Sequence, residues 1–414
     1  MAGGLRRMLV LSIWEDVWSL GEGGGVPDEL IFMRALGERG VTVHQLIPEP
    51  AGGISGRGGP GLVYHSYPNI FRRTGALPKK ARRLLLPYIY TGAVRERLRA
   101  LARESAPDLL LGFSHYSIEP VSLVARELGI PSAVKLFGVM FLGRSDLPRG
   151  HRWWLNFDQQ RALRHPVDRY IVLNDGTMGD RALAANGVPP EKISFLPNGM
   201  EMSWAALPVD RAAQRLAFGL PAERVLICTV SRLVPIKRIE HILEAAARIG
   251  APARDRIAVV IGGDGPERPR LEALARRLGI GGDTYFLGAL PYERIPLLLK
   301  SCDIFAATSD LTNMSMPPCE AMICGLPVAA FDAAGTAETV REGETGLLVP
   351  YGDIDGLARA LERLAGDERL RGELGRGAAR FAAGHFMSWD DRIAAEIELL
   401  EALARRPPPA ISPH

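Results

Sequence analysis

Arg232 and Lys237 lie in Val230-Ser231-Arg232-Leu233-Val234-Pro235-Ile236-Lys237, directly after an apolar, strand-like run. Two cations at the carboxyl end of a strand suit a diphosphate. Arginine offers a planar fork and lysine a point charge, and together they can neutralise a departing pyrophosphate. A plain basic loop has the same composition; its place at a strand's carboxyl end is what favours chemistry. A second stretch, SDLTNMSMPPCEAMICGLPVAAFD from Ser309 to Asp332, reads as a strand exit, a polar loop, a short helix and a strand. Pro317 and Pro318 suit a helix start, and Gly325 with Pro327 suits its end. Free N–H groups at that helix start face the loop Thr312 to Met316, a ready place for an anion. Glu320, about one turn inside, could accept hydrogen bonds from vicinal hydroxyls such as those of a ribose. A surface glutamate near a helix start is the competing reading. His115, in GFSHYSIEP, follows another apolar run and is either a site residue or a hydrogen-bonded histidine at a strand end.

These groups need a scaffold that brings strand ends together. Apolar runs at Met8–Ile13, Val41–Ile47, Leu109–Phe113, Ala133–Phe137 and Arg169–Leu173 alternate with helical segments, among them Asp28–Arg39, Ala93–Glu104 and Pro120–Leu128. Leu207 to Glu223, broken by Pro208, Gly219 and Pro221, reads as a linker. The alternation then restarts with strands at Val225–Val230, Ile257–Ile261, Thr284–Leu287, Ile304–Ala307 and Leu326–Phe331, separated by helices. Strands alternating with helices predict an α/β fold of two parallel-sheet, Rossmann-like domains facing across a cleft. The expected domains are 1–206, with a C-terminal helix over 385–405 crossing back to it, and 222–384. Residues 406–414 are expected to form a flexible tail.

Composition bounds the rest. A chain of 414 residues exceeds one ordinary core. No apolar run approaches the roughly 20 residues of a membrane helix. The four cysteines, Cys228, Cys302, Cys319 and Cys324, lack metal-ligand spacing and read as reduced thiols in a cytoplasmic protein. A net charge of +3 is too weak to argue for nucleic acid. Between Pro50 and Arg95 there is no acidic residue, while Arg57, Arg72, Arg73, Lys79, Lys80, Arg82 and Arg83 fall there among tyrosines and leucines. Segment 72–83 is therefore a candidate for peripheral contact with an anionic membrane or for an acidic acceptor, against the simpler reading of a solvated loop leading into a helix.

In order, SRLVPIK, IGGDGPERPRLEALARRLG, FLGALPYERIPLLLKSCDIF, CEAMICGLPVAAF and GTAETVREGETGLLVP resemble the donor domain of retaining glycosyltransferases of family 4, with the GT-B fold. The first half resembles its partner domain through the Gly23–Gly25 loop, IPSAVKLFG and YIVLNDGTMGDRALAANGVPPEKISFLPNGMEM. The resemblance implies that Arg232 and Lys237 hold the donor's diphosphate and that Glu320 binds the nucleotide ribose. It places the backbone amides of Met314, Ser315 and Met316 on the distal phosphate and sugar, Gly25 over the phosphates, and Leu287-Gly288 beside the base. It implies a metal-independent, cofactor-free transfer with net retention from a nucleotide sugar to a glycan, lipid-linked or small-molecule acceptor. The protein would be cytoplasmic, with the inner membrane face as a peripheral site.

Two departures stand out. A glutamate of the family's Glu-x7-Glu element would fall at Thr312, beside Asn313, so a hydroxyl or an amide replaces a carboxylate toward the donor sugar. The first domain's usual histidine before glycine is replaced by Phe137-Gly138, preceded by Lys135; His115 and Lys135 are then the candidates on the acceptor or sugar side. These departures keep open a second reading, a non-catalytic nucleotide-sugar-binding partner of an active transferase. A two-lobed epimerase or phosphorylase would need crevice acid–base pairs or a lysine-bound cofactor, and neither pattern is evident.

Overall fold

The computed structural model describes residues 4–13, 28–50, 61–137, 148–173, 179–251, 253–310, 316–333 and 335–405. The chain divides into two compact units, Met1–Gly199 with Trp389–His414, and Met200–Ser388.

The first unit is built on seven strands: β1 (Arg7–Leu11), β2 (Thr42–Pro48), β3 (Leu62–Tyr67), β4 (Leu109–Phe113), β5 (Ser132–Leu136), β6 (Arg169–Leu173) and β7 (Ile193–Leu196). They run parallel in the order β3-β2-β1-β4-β5-β6-β7. The second unit has six: β8 (Val225–Val230), β9 (Ile257–Gly262), β10 (Thr284–Gly288), β11 (Ile304–Ala307), β12 (Val328–Asp332) and β13 (Gly346–Pro350). These are also parallel, in the order β10-β9-β8-β11-β12-β13. Central strands such as β4 and β9 are buried along their whole length, which is why they read as unbroken apolar runs.

Three strands escape the sequence pattern: β3, β7 and β13. Each is an edge of its sheet and only partly buried; β10, the remaining edge, is anticipated by Thr284–Leu287. Two other expectations are corrected. The basic segment is mostly helical: after the short helix Ile70–Arg73 and a turn, one helix of 27 residues, Lys79–Ser105, begins and continues past Pro87. Leu86, Tyr90, Val94, Leu98 and Leu101 form its buried stripe, at the spacing of one helix face. Leu207–Glu223 is not a linker either. It contains the helix Arg211–Ala217, capped by Asp210, and buried Arg215 there bonds to Ser301 O, Asp303 and nearby carbonyls.

The final helix, Trp389–Ala404, buries Ile393, Ile397, Leu400 and Leu403 in one cluster with Met8, Val10, Leu111 and Ile171. It also corrects the role expected of Lys135. That side chain is fully buried in β5, with its Nζ 3.1 Å from Glu396 Oε2. Arg392 donates to the same carboxylate oxygen, and the Phe32 ring lies 5.0 Å from the ammonium. A lysine at a strand's end reads as exposed only while its carboxylate, 261 residues later, is out of view. Lys135 fastens a helix and does not face an acceptor.

Removing one partner of a buried pair leaves an uncompensated charge. Glu396→Ala should therefore lower the unfolding free energy by about 3–5 kcal/mol in urea titrations. A loss below about 1 kcal/mol would show that the helix is held by its apolar stripe alone.

Candidate active site

In an open α/β sheet, ligands bind outside the carboxyl ends of the strands where the strand order reverses. In the second unit that point lies between β8 and β11. The residues leaving those strands are Ser231–Lys237 and Thr308–Asp310. A cavity opens there, lined by Ser231, Lys237, Ser309, Pro318, Phe331 and Thr336 among others.

Lys237 closes a short 3-10 turn, Pro235–Lys237, followed by Arg238 in the left-handed region at φ 49°. A non-glycine residue pays steric energy there and persists only when its surroundings hold it. They do. Thr308 Oγ1 donates to Lys237 O (3.2 Å) and Arg238 O (2.9 Å), and Asp310 N donates to Ile236 O at 3.0 Å. Arg238 Nε reaches both oxygens of Asp310 at 2.8 Å, and Tyr351 OH donates to the same carboxylate. From the other side, Ser231 N donates to Gly262 O and Leu233 N to Asp264 O. Gly263 (φ 125°) and Gly265 (φ 157°) permit this approach: a Cβ on either would fall 1.9 Å from Ser231 O or 2.4 Å from Leu233 O. The turn is thus fixed from both β9 and β11.

Lys237 itself is largely desolvated. Burial, and secondarily the neighbouring Arg232, lower its pKa from that of an ordinary lysine. Among the described residues neither Lys237 nor the exposed Arg232 has a carboxylate partner. Most other arginines of this unit sit in ion pairs, as Arg215, Arg224, Arg238, Arg268 and Arg270 show. Two neighbouring cations held without an acid make a receptor for an anion.

Met316–Ile323 is helical, with Pro317 and Pro318 in its first turn. Met316 and Leu287 both pack against the apolar cluster that contains Cys319 and Val230. Glu320 is 6% exposed, and burial pushes its carboxyl up to about 7. Among the described residues no cation offsets that burial. Gly25, Thr312, Asn313, Met314 and Ser315 lie outside the described residues.

In the first unit the corresponding point lies between β1 and β4. His115 follows β4, just after Ser114 at φ 73°. Its Nε2 lies 3.1 Å from Asp158 Oδ2, which also accepts from Tyr116 OH at 3.3 Å. Burial pushes the Asp158 carboxyl up, but the hydrogen bond and charge of His115, with the Gln159 N–H and the Arg83 charge, together hold the acid below its usual range. Among the described residues no group of three or more His, Cys, Asp or Glu side chains could hold a metal ion. No described helix is long and apolar enough to cross a membrane.

The cation pair at a strand end points to Arg232 and Lys237, and the helix start points to Glu320. Neither pattern reveals Thr308, Asp310 and Tyr351, which position Lys237. Thr308 and Asp310 carry a weak signal, polar residues after a strand; Tyr351 carries none.

The profile of the family described as "Glycosyl transferases group 1" matches residues 210–381, and that of the "Glycosyl transferase 4-like domain" matches 30–199. A D-inositol 3-phosphate glycosyltransferase of Kribbella flavida is 34% identical over 66% of this chain and 66% of its own length. One of Salinispora arenicola is 31% identical over 96% of this chain and 85% of its own. The crystal structure of Anabaena HepE in complex with UDP superposes with a TM-score of 0.70 at 18% identity, covering 96% of this chain and 100% of that one.

Glu320 permits a test with opposite signs for stability and binding. Its acid is protonated up to about pH 7 in the fold and only to about 4.5 unfolded, so its ionisation costs stability as pH rises between those values. Glu320→Gln should raise the melting temperature of the free protein at pH 8, by up to about 3 kcal/mol in stability, with the gain vanishing near pH 4.5. The same change should weaken nucleotide binding. A variant less stable at pH 8 would show that Glu320 has a structural partner.

Proposed function

The chain belongs to glycosyltransferase family 4, the group 1 glycosyltransferases with the GT-B fold, and we propose that it moves a sugar from a nucleotide-diphosphate sugar to an acceptor hydroxyl. The observation that carries this reading is the desolvated, acid-free Lys237 beside Arg232 at the strand-order reversal of the second sheet. The bond from the anomeric carbon to the distal phosphate oxygen breaks, and the acceptor oxygen bonds to that carbon from the same face, with net retention. The acceptor's proton passes to the leaving diphosphate. Negative charge grows on the diphosphate as the bond breaks, and Arg232 and Lys237 stabilise it more in that state than in the ground state. These two cations do the neutralising without a resident metal.

Glu320 receives the ribose hydroxyls as a carboxylate. Leu287 supports the base, and the backbone of Met314, Ser315 and Met316, with Gly25, meets the phosphates. Thr312 and Asn313 contact the donor sugar, and His115, oriented by Asp158, serves the acceptor side. The UDP bound by HepE supports a nucleoside diphosphate as the ligand class. The relatives named for D-inositol 3-phosphate support a phosphorylated cyclic polyol, free or lipid-linked, as acceptor.

A specific surface favours membrane contact at the inner face. Leu84, Leu85, Tyr88 and Ile89 are exposed along the first half of the Lys79–Ser105 helix, with Lys79 and Lys80 at its start. The helix Arg149–Leu155 adjoins it through a hydrogen bond from Arg83 to Leu155 O and adds exposed Trp153. Apolar and basic side chains together suit an anionic lipid surface.

In a thermal-shift panel, one of UDP, GDP or ADP and its sugar conjugate should raise the melting temperature, with the rise unchanged by EDTA. Lys237→Ala should then lower kcat by about 10²-fold or more at a melting temperature equal to or above that of the wild type. No shift with any nucleotide would overturn the donor site, and a shift abolished by EDTA would overturn metal independence. Proton NMR of the product should show the donor's anomeric configuration.

In vesicle sedimentation, the protein should bind phosphatidylglycerol-containing vesicles and ignore pure phosphatidylcholine. Leu85→Glu with Tyr88→Glu should abolish binding without changing the melting temperature. Binding unaffected by the double change would remove this helix from the contact.

A further inference from the structure

We infer that Ser231 is a third ligand of the donor's diphosphate, its Oγ–H donating to a phosphate oxygen beside Lys237. The inference rests on the reading of Lys237 above. Ser231 lines the same cavity as Lys237, Ser309 and Thr336. Its Oγ is buried and has no hydrogen-bond partner among the described residues. Buried hydroxyls in folded proteins nearly always find a partner, and one left unmade is unfavourable. The residue's backbone is not free to swing the hydroxyl elsewhere. Ser231 N is bound to Gly262 O at 3.0 Å, and Ser231 O is pressed so closely against Gly263 that a Cβ there would fall within 1.9 Å of it. Two other hydroxyls that line the cavity differ: Thr336 Oγ1 donates to Ala333 O at 2.7 Å and Thr339 Oγ1 to Thr336 O at 3.1 Å. Thr229, which also lines the cavity, is not among the buried groups lacking a partner.

A desolvated ammonium and an unmet donor therefore line one cavity. Both are satisfied by a single species, an anion rich in acceptor oxygens. A carboxylate would serve Lys237 alone as well, but a tetrahedral phosphate presents separate oxygens to an ammonium and to a hydroxyl at once.

The test is isothermal titration of the full chain with UDP, GDP and ADP, then with the uncharged nucleoside of whichever binds, in wild type, Ser231→Ala, Ser231→Thr and Lys237→Ala. Ser231→Ala should weaken the nucleoside diphosphate about tenfold, leave the bare nucleoside unchanged, and melt at or above the wild-type temperature. A merely structural serine would instead lower the melting temperature and affect both ligands alike. Ser231→Thr, which keeps the hydroxyl, should retain diphosphate affinity. If wild type binds and Lys237→Ala does not, yet Ser231→Ala binds the diphosphate like wild type, the serine assignment is overturned while the donor site stands. If wild type binds none of the three diphosphates, both fall.

Discussion

The second unit is organised around an ammonium that is removed from water and given no acid. Burial alone works against a charged Lys237, and Arg232 adds to it, so a flexible chain would let the lysine turn outward. The fold prevents this by fixing the backbone that carries it. The left-handed Arg238, the two carbonyls held by Thr308 and the Asp310 carboxylate held by Arg238 and Tyr351 over-determine one short turn. The glycines after β9 give that turn its close backing. The site is therefore pre-organised: the reorganisation that an anion would otherwise demand is completed in folding.

The same physics explains how much was legible in the amino-acid order. Strands covered on both faces, such as β4 and β9, announce themselves because every side chain must be apolar. The edge strands β3, β7 and β13 face a neighbour on one side only; β3 mixes His65 and Ser66 into its run, and β7 has only 4 residues. Pro87 lies inside the helix of the basic segment, where proline removes an intrahelical hydrogen bond. The helix continues because its buried stripe, from Leu86 through Leu101, outweighs that loss. Arg215 looked like a charged linker residue and is instead a buried hub for carbonyls and Asp303.

For the site, legibility follows whether a residue acts through its own type or through a partner far away in sequence. Arg232, Lys237 and Glu320 are recognisable because a cation pair after a strand and a carboxylate in a helix's first turns are local patterns. Asp310 and Tyr351 act only through Arg238, 72 residues before the first of them and in another loop. Nothing adjacent in the chain marks them. Lys135 shows the reverse error: its local pattern matched a site lysine, and its true partner lies on the final helix.

Lys135 and Lys237 together yield a rule for buried charge in this chain. Both are lysines at the carboxyl-terminal part of the sheets, and both are largely or wholly removed from solvent. Lys135 has a carboxylate at 3.1 Å and aromatic rings around its ammonium, so its electrostatics are settled within the fold. Lys237 has neither a carboxylate nor a ring among the described residues, and Glu320 is likewise buried with no cation to offset it. A buried charge that the protein completes for itself is structural. One left incomplete costs stability that selection for folding alone would remove, which makes the unpaired Lys237 and Glu320 stronger markers of the donor site than residue type or position in the motif.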